Sequence, residues 1–258
     1  MVRMPRSAAG LLRFSLVSVR ALPVRGASGV TGSRAGLLIV EDDLGIYRLH
    51  GPTATLWAGP DLHPELGDLE GIAANERGDT VWAVAEESGV LVELALGARG
   101  PTVRRTGRLR RPGSRANKGF EGVAFLPARH SSTHRDALVA VHEHKPRRVC
   151  LFSLPDLRQT HDLKLPPEAK EALDDLADVA VDPVTGLLVL LSEASRRLAV
   201  LRLGPQGLQF VSTFDLPLPG KERPEGLAYL SPGRLAIVTE GPARLLELRV
   251  TRPRRPRV

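Results

Sequence analysis

Eight glutamates fall at two recurring places in this chain, and carboxylates returning at fixed spacing are candidates for gripping a hard cation or for acid–base work. Three of them, Glu70, Glu121 and Glu225, open a short apolar run and are each followed by glycine and two apolar residues. Five more, Glu41, Glu86, Glu143, Glu193 and Glu240, close the apolar run that comes next. If neighbouring runs are antiparallel strands, the start of the first strand and the end of the second lie on the same side of the sheet. All eight carboxylates are therefore expected on one face. Like charges brought within several ångströms raise one another's pKa, so such a face needs protons, Arg or Lys, or a cation such as Ca2+ held by oxygens.

A second reading of the same residues is scaffolding. A glutamate just before a turn can accept hydrogen bonds from backbone N–H groups of an adjoining inner strand, and its presence in every repeat is what bracing predicts. The second-strand set fits this reading. The first-strand acids are missing from two repeats, where Ser28 and Ala177 stand. Variation on a symmetric scaffold points to an off-centre site, which makes Glu70, Glu121 and Glu225 the leading ligand candidates. Asn117 and Lys118, just ahead of the run opened by Glu121, and Asp175, at the start of the fourth repeat, are added as ligand-binding candidates on the same face.

Other constellations carry less. In His142-Glu143-His144, strand alternation puts the two histidines on one side and the carboxylate on the other, without a third ligand. His63 reads as a loop histidine. Ser192 to Arg196 contains no G-x-S-x-G elbow, and the chain has no P-loop, dinucleotide fingerprint or CxxC. The single cysteine, Cys150, sits inside an apolar run and is read as a buried small hydrophobe.

The elements that position the acids recur as a unit of about fifty residues. Asp68 to Leu94 contains three runs of about five apolar residues separated by Gly, Asp and Asn turns, the pattern of an antiparallel meander. Repeats start near residues 26, 68, 119, 175 and 223. One such sheet cannot bury both of its faces alone, so the chain is read as all-β, a five-bladed β-propeller. The last repeat supplies only three runs, and Leu11 to Leu22 is expected to provide the strand that completes it and closes the ring. The resulting organisation is a disordered end over 1–10, one propeller domain over 11–251 and a disordered basic tail over 252–258. Pro166 to Leu173 is expected to form one short helix, and 129–135 a loop.

The net charge of +7 concentrates at the termini, where nine arginines occur in residues 1–25 and 252–258 with no acid. Without those nine, 27 of the 36 basic residues remain against 29 acidic ones, and aromatics are only 4% of the chain. This excludes a nucleic-acid-binding body. One internal stretch, Arg99 to Lys118, carries eight basic residues and no acid, and is read as a solvated outer strand and connector, with an acidic partner as the alternative. No run approaches the roughly twenty apolar residues of a membrane span. The arginine-interrupted Leu11 to Leu22 makes a poor signal sequence, which tilts the expected location toward the cytoplasm. A monomer is expected.

The stretches DLEGIA (Asp68 to Ala73), NKGFEGVAF (Asn117 to Phe125), LLSEASRRL (Leu190 to Leu198), PEGLA (Pro224 to Ala228) and IVTE (Ile237 to Glu240) resemble, in that order, the SdiA-regulated-domain family of bacterial proteins. The resemblance covers about Ala27 to Leu248. It implies a five-bladed propeller with calcium bound on one face and no established catalytic activity. Many members carry an N-terminal leader or anchor. The expected function is a module that binds Ca2+, a small molecule or a protein ligand at the acidic face. The alternatives are a calcium-dependent hydrolase of small esters, lactones or phosphoesters, and a protein-interaction platform built on the basic stretch.

Overall fold

Thr80–Ala85 is buried at every position, which no one-sided sheet allows. Its Val81, Ala83 and Ala85 pack to one side with Leu38, Val40 and Ile46, while Trp82 and Val84 pack to the other with Phe120, Val123 and Leu138. A strand alternating two apolar faces needs a sheet against each of them. Five sheets arranged in a ring meet that demand for every blade at once.

The computed structural model describes residues 12–41, 44–67, 69–86, 88–109, 119–143, 146–154, 156–218 and 220–252. It contains five four-stranded antiparallel sheets. β1 (Arg13–Ala21) precedes blade 1, which is β2 (Gly29–Ser33), β3 (Gly36–Glu41), β4 (Gly45–His50) and β5 (Thr53–Ala58). Blade 2 is β6 (Leu69–Ala74), β7 (Thr80–Ala85), β8 (Val90–Gly97) and β9 (Gly100–Arg108). Blade 3 is β10 (Phe120–Leu126), β11 (Ala137–His142), β12 (Arg148–Ser153) and β13 (Gln159–Lys164). After the helix α1 (Pro167–Ala172), blade 4 runs through β14 (Asp178–Val181), β15 (Leu188–Ser192), β16 (Arg197–Gly204) and β17 (Gly207–Asp215). Blade 5 is β18 (Arg223–Ser231), β19 (Arg234–Glu240) and β20 (Arg244–Thr251), with β1 as its outermost strand.

The chain is thus a five-bladed β-propeller closed by its N-terminal strand. β1 pairs antiparallel with β20 from Arg13 opposite Thr251 to Ala21 opposite Arg244, so the two ends of the domain lock each other. Phe14 of β1 also meets Phe214 of β17 with ring centroids 5.4 Å apart, tying the closing strand to blade 4. Five apolar clusters fill the five gaps between blades, one per gap. Each fully buried Leu, Ile or Val there contributes about 1.5–3 kcal/mol. Cys150 lies in the cluster between blades 2 and 3, where burial pushes its thiol up to about 12. No helix among the described residues is long and apolar enough to cross a membrane.

The inner strands β2, β6, β10, β14 and β18 touch one another around the axis. Their closest approach is set by glycines. A Cβ on Gly71 would fall 2.6 Å from the Glu121 carbonyl oxygen, and one on Gly226 would fall 2.8 Å from the Gly29 Cα. Blade 4 breaks the series by placing Asp178 where the other four blades have Gly29, Gly71, Gly122 and Gly226. Its fully buried carboxyl accepts hydrogen bonds from the backbone N–H groups of Val179 (2.7 Å) and of Leu227 (2.6 Å) in blade 5, with a further contribution from the Val123 N–H of blade 3. One side chain thereby plugs the axis and joins three blades.

Candidate metal centre

The first-strand glutamates reach the mouth of the axis through a backbone irregularity. In β6 the pairing with β7 steps from Leu69–Ala85 to Gly71–Val84, which leaves Glu70 as the extra residue of a bulge. The same step isolates Glu121 between Phe120 and Gly122 and Glu225 between Pro224 and Gly226. A bulge re-aims the side chain it carries and terminates regular pairing. The glycine after each glutamate then permits the tight contact with the next inner strand.

Glu70, Glu86 and Glu121 meet at this mouth. One carboxylate oxygen from each lies within 4.8 Å of the other two, and all three side chains are half-buried. Glu86 follows β7 directly, and its Oε1 also accepts a hydrogen bond from the Gly119 N–H at 3.4 Å, just ahead of β10. Burial is the main cause of the pKa of Glu121 being pushed up to about 11, and the charges of Glu86 and Glu70 add to it. Glu121 also hydrogen-bonds Glu86, and two carboxyls can do so only by holding a proton between them.

The blade 5 side of the mouth is different. Glu225 is raised to about 7, chiefly by burial and then by the charge of Glu193, and Arg223 opposes the rise. The Arg223 guanidinium ion-pairs with Glu240 and stands 3.7 Å from Glu193. Glu193 is itself raised, mainly by burial. The charge of Glu143 acts on Glu121, Glu193 and Glu225, which puts it between the two halves.

Two of the candidate acids are committed to backbone groups. Glu41 is buried and accepts from the Arg25 N–H at 3.1 Å, ahead of β2. Asp175 takes the Ser192 hydroxyl on one oxygen and the Ala194 N–H, at 2.9 Å, on the other, so it shapes the turn after β15. Asn117 and Lys118 lie outside the described residues, as does His144. His142 is buried at the end of β11, with its ring edge-on to Phe120. His63 accepts the Glu65 N–H at 3.2 Å within its own loop. Arg223 and Asp178 were not singled out by residue type. The first was legible as a cation two residues before Glu225, and the second as the aspartate interrupting a glycine series.

The SdiA-regulated family profile matches residues 62–216, which include Glu70, Glu86 and Glu121. The chain belongs to the SdiA-regulated family. No curated protein matches it significantly by sequence. Among solved structures, this SdiA-regulated protein is similar to the PQQ-bound aldose sugar dehydrogenase of Streptomyces coelicolor, with 13% identity, a TM-score of 0.55 and coverage of 93% of this chain and 99% of that one. It is also similar to the iodide structure of a Trichoderma reesei carbohydrate-active enzyme of family AA12, with 11% identity, a TM-score of 0.51 and coverage of 96% and 100%. The nidogen/laminin complex gives 15% identity, a TM-score of 0.51 and coverage of 86% and 72%. At these identities the likeness is one of fold.

Proposed function

We propose that this SdiA-regulated protein is a binding module whose acidic mouth holds a Ca2+ ion between Glu70, Glu86 and Glu121. The observation that carries the reading is that carboxylate oxygens from two blades converge within 4.8 Å of one another. The donor set fits a hard cation, because every atom offered is a carboxylate oxygen. The spacing fits as well: oxygens about 2.3–2.6 Å from one Ca2+ lie no more than about 5 Å apart. A bound cation would supply positive charge where Glu121 otherwise holds a proton, so uptake of the ion and release of protons are coupled.

The test is thermal unfolding of metal-stripped protein with added Ca2+ and with EGTA. The reading expects a higher midpoint with Ca2+ than with EGTA, and a Glu121→Gln variant that no longer responds. Equal midpoints, together with no metal in the purified protein, would remove it.

One observation favours a second reading, a calcium-dependent hydrolase. Glu225, on the same mouth, is raised to about 7, which suits a group that takes a proton near neutral pH. A screen of small esters, lactones and phosphoesters with and without Ca2+ tests it. Turnover that requires Ca2+ and is lost in Glu225→Gln supports the hydrolase, and absence of turnover leaves the binding module alone.

A further inference from the structure

The inner strands run away from the acids, and their far ends open into a second concavity. It has a volume of about 690 Å3, within the range of small-molecule pockets. Ile72, Val123, Val179 and Leu227 close its base one residue beyond the collar formed by the glycines and Asp178, and the half-buried Leu37, Phe125, Tyr229 and Leu230 give its walls accessible apolar surface. None of the acids of the mouth lines it, so the collar separates two chambers on one axis.

The rim has the opposite charge to the mouth. Arg34, Arg77 and Arg129 line it, with Glu76 as the only acid among the lining residues. Glu76 is taken up by a two-pronged pair with Arg129. The nearest pairing of Arg34 is a loose one, 3.9 Å from Asp79, whose other oxygen is already engaged by Asn75 at 2.7 Å. Guanidinium groups around an apolar throat select for two properties together. A bare hydrated anion would lose water against the apolar base without compensation, and a neutral apolar molecule would leave the rim unused.

We infer that this funnel is a binding site for a small carboxylate with an apolar body, such as a medium-chain acyl or aromatic acid, and that it works independently of the acidic mouth. The carboxylate sits at the Arg34 and Arg77 side of the rim, and the body lies against the base and Phe125. The molecule carries its own reporter. Phe125 stacks on Trp82 with centroids 5.6 Å apart and planes 4° from parallel, so a ligand against Phe125 perturbs a buried indole.

The experiment is a fluorescence titration with octanoate, performed in EGTA so that the cation site plays no part. Trp57→Phe leaves Trp82 as the single tryptophan, since the chain has two. The expected result is a saturable change in emission with octanoate, binding of octan-1-ol at least about tenfold weaker, no competition from inorganic phosphate, and about a tenfold loss in the Arg34→Gln/Arg77→Gln double variant. Both arginines are exposed, and an unchanged thermal midpoint verifies that the double variant is folded. Absence of a saturable change, equal binding of the alcohol, displacement by phosphate, or undiminished binding in the folded double variant would each overturn the inference.

Discussion

The two halves of the acidic mouth are built from the same repeat and end in different electrostatic states. On the blade 5 side, Arg223 reaches Glu240 and Glu193 and restrains the rise of Glu225 to about 7. Between blades 2 and 3, burial and the charges of Glu86, Glu70 and Glu143 all push Glu121 the same way, to about 11. A symmetric scaffold therefore carries an asymmetric site. One half carries an arginine beside its acids, and in the other the described side chains that shift Glu121 are all carboxylates.

Among the substitutions, the largest loss of stability is expected from cutting the link between the halves. Asp178→Ala leaves the buried Leu227 and Val179 N–H groups without their acceptor and opens the axis, which should cost about 3 kcal/mol. Urea unfolding measures it, and a loss below about 0.5 kcal/mol would mean that the plug is dispensable.

Next in size is the response to the ion. At a free Ca2+ concentration of 100 times Kd, the wild type should gain about 2.7 kcal/mol, Glu225→Gln should keep most of that gain, and Glu121→Gln should lose it. Equal losses in the two variants would erase the contrast between the halves.

The ion-free protein should also respond to pH. A carboxyl raised on folding from 4.5 to about 11 binds more protons folded than unfolded across that window. The stabilisation from Glu121 is therefore complete below about pH 4.5 and is lost as pH climbs toward 11. In EGTA the midpoint should fall from pH 5 to pH 9, and Glu121→Gln, which mimics the protonated form, should flatten the slope. Glu225 adds its own loss only up to about pH 7.

The smallest effect is that of Arg223→Gln. This side chain is half exposed, so solvent screens its pairs and the cost in stability should stay below about 1 kcal/mol. The more telling readout is the proton affinity of Glu225 and Glu193, which should rise when Arg223 is removed. Carboxyl titration followed by NMR tests that, and unchanged titration would show that Arg223 does not separate the halves.

Sequence periodicity carried the architecture because each repeat needs its neighbours to bury two apolar faces, and that need is written in runs such as Val81 to Ala85. The closing strand was legible for the same reason, since the last repeat lacks a fourth run. The site was legible only as a face. Which acids meet depends on bulges at Glu70, Glu121 and Glu225, and a bulge is one residue of register that composition does not reveal. The bracing of Glu41 by the Arg25 N–H and the engagement of Asp175 by Ser192 depend on loop paths, which apolar periodicity leaves unspecified. The arginine-rimmed funnel had the faintest signal: Ala73, Ala124, Ala180 and Ala228 recur at one place in four repeats, where small side chains keep the axis open.

Calorimetric titration of metal-stripped protein with Ca2+, repeated in two buffers of different ionisation enthalpy, tests the central claim most directly. The account predicts one ion per chain bound with release of a proton from Glu121, and binding at least about tenfold weaker in Glu121→Gln. No saturable binding, or an affinity and proton release that survive Glu121→Gln unchanged, would contradict it.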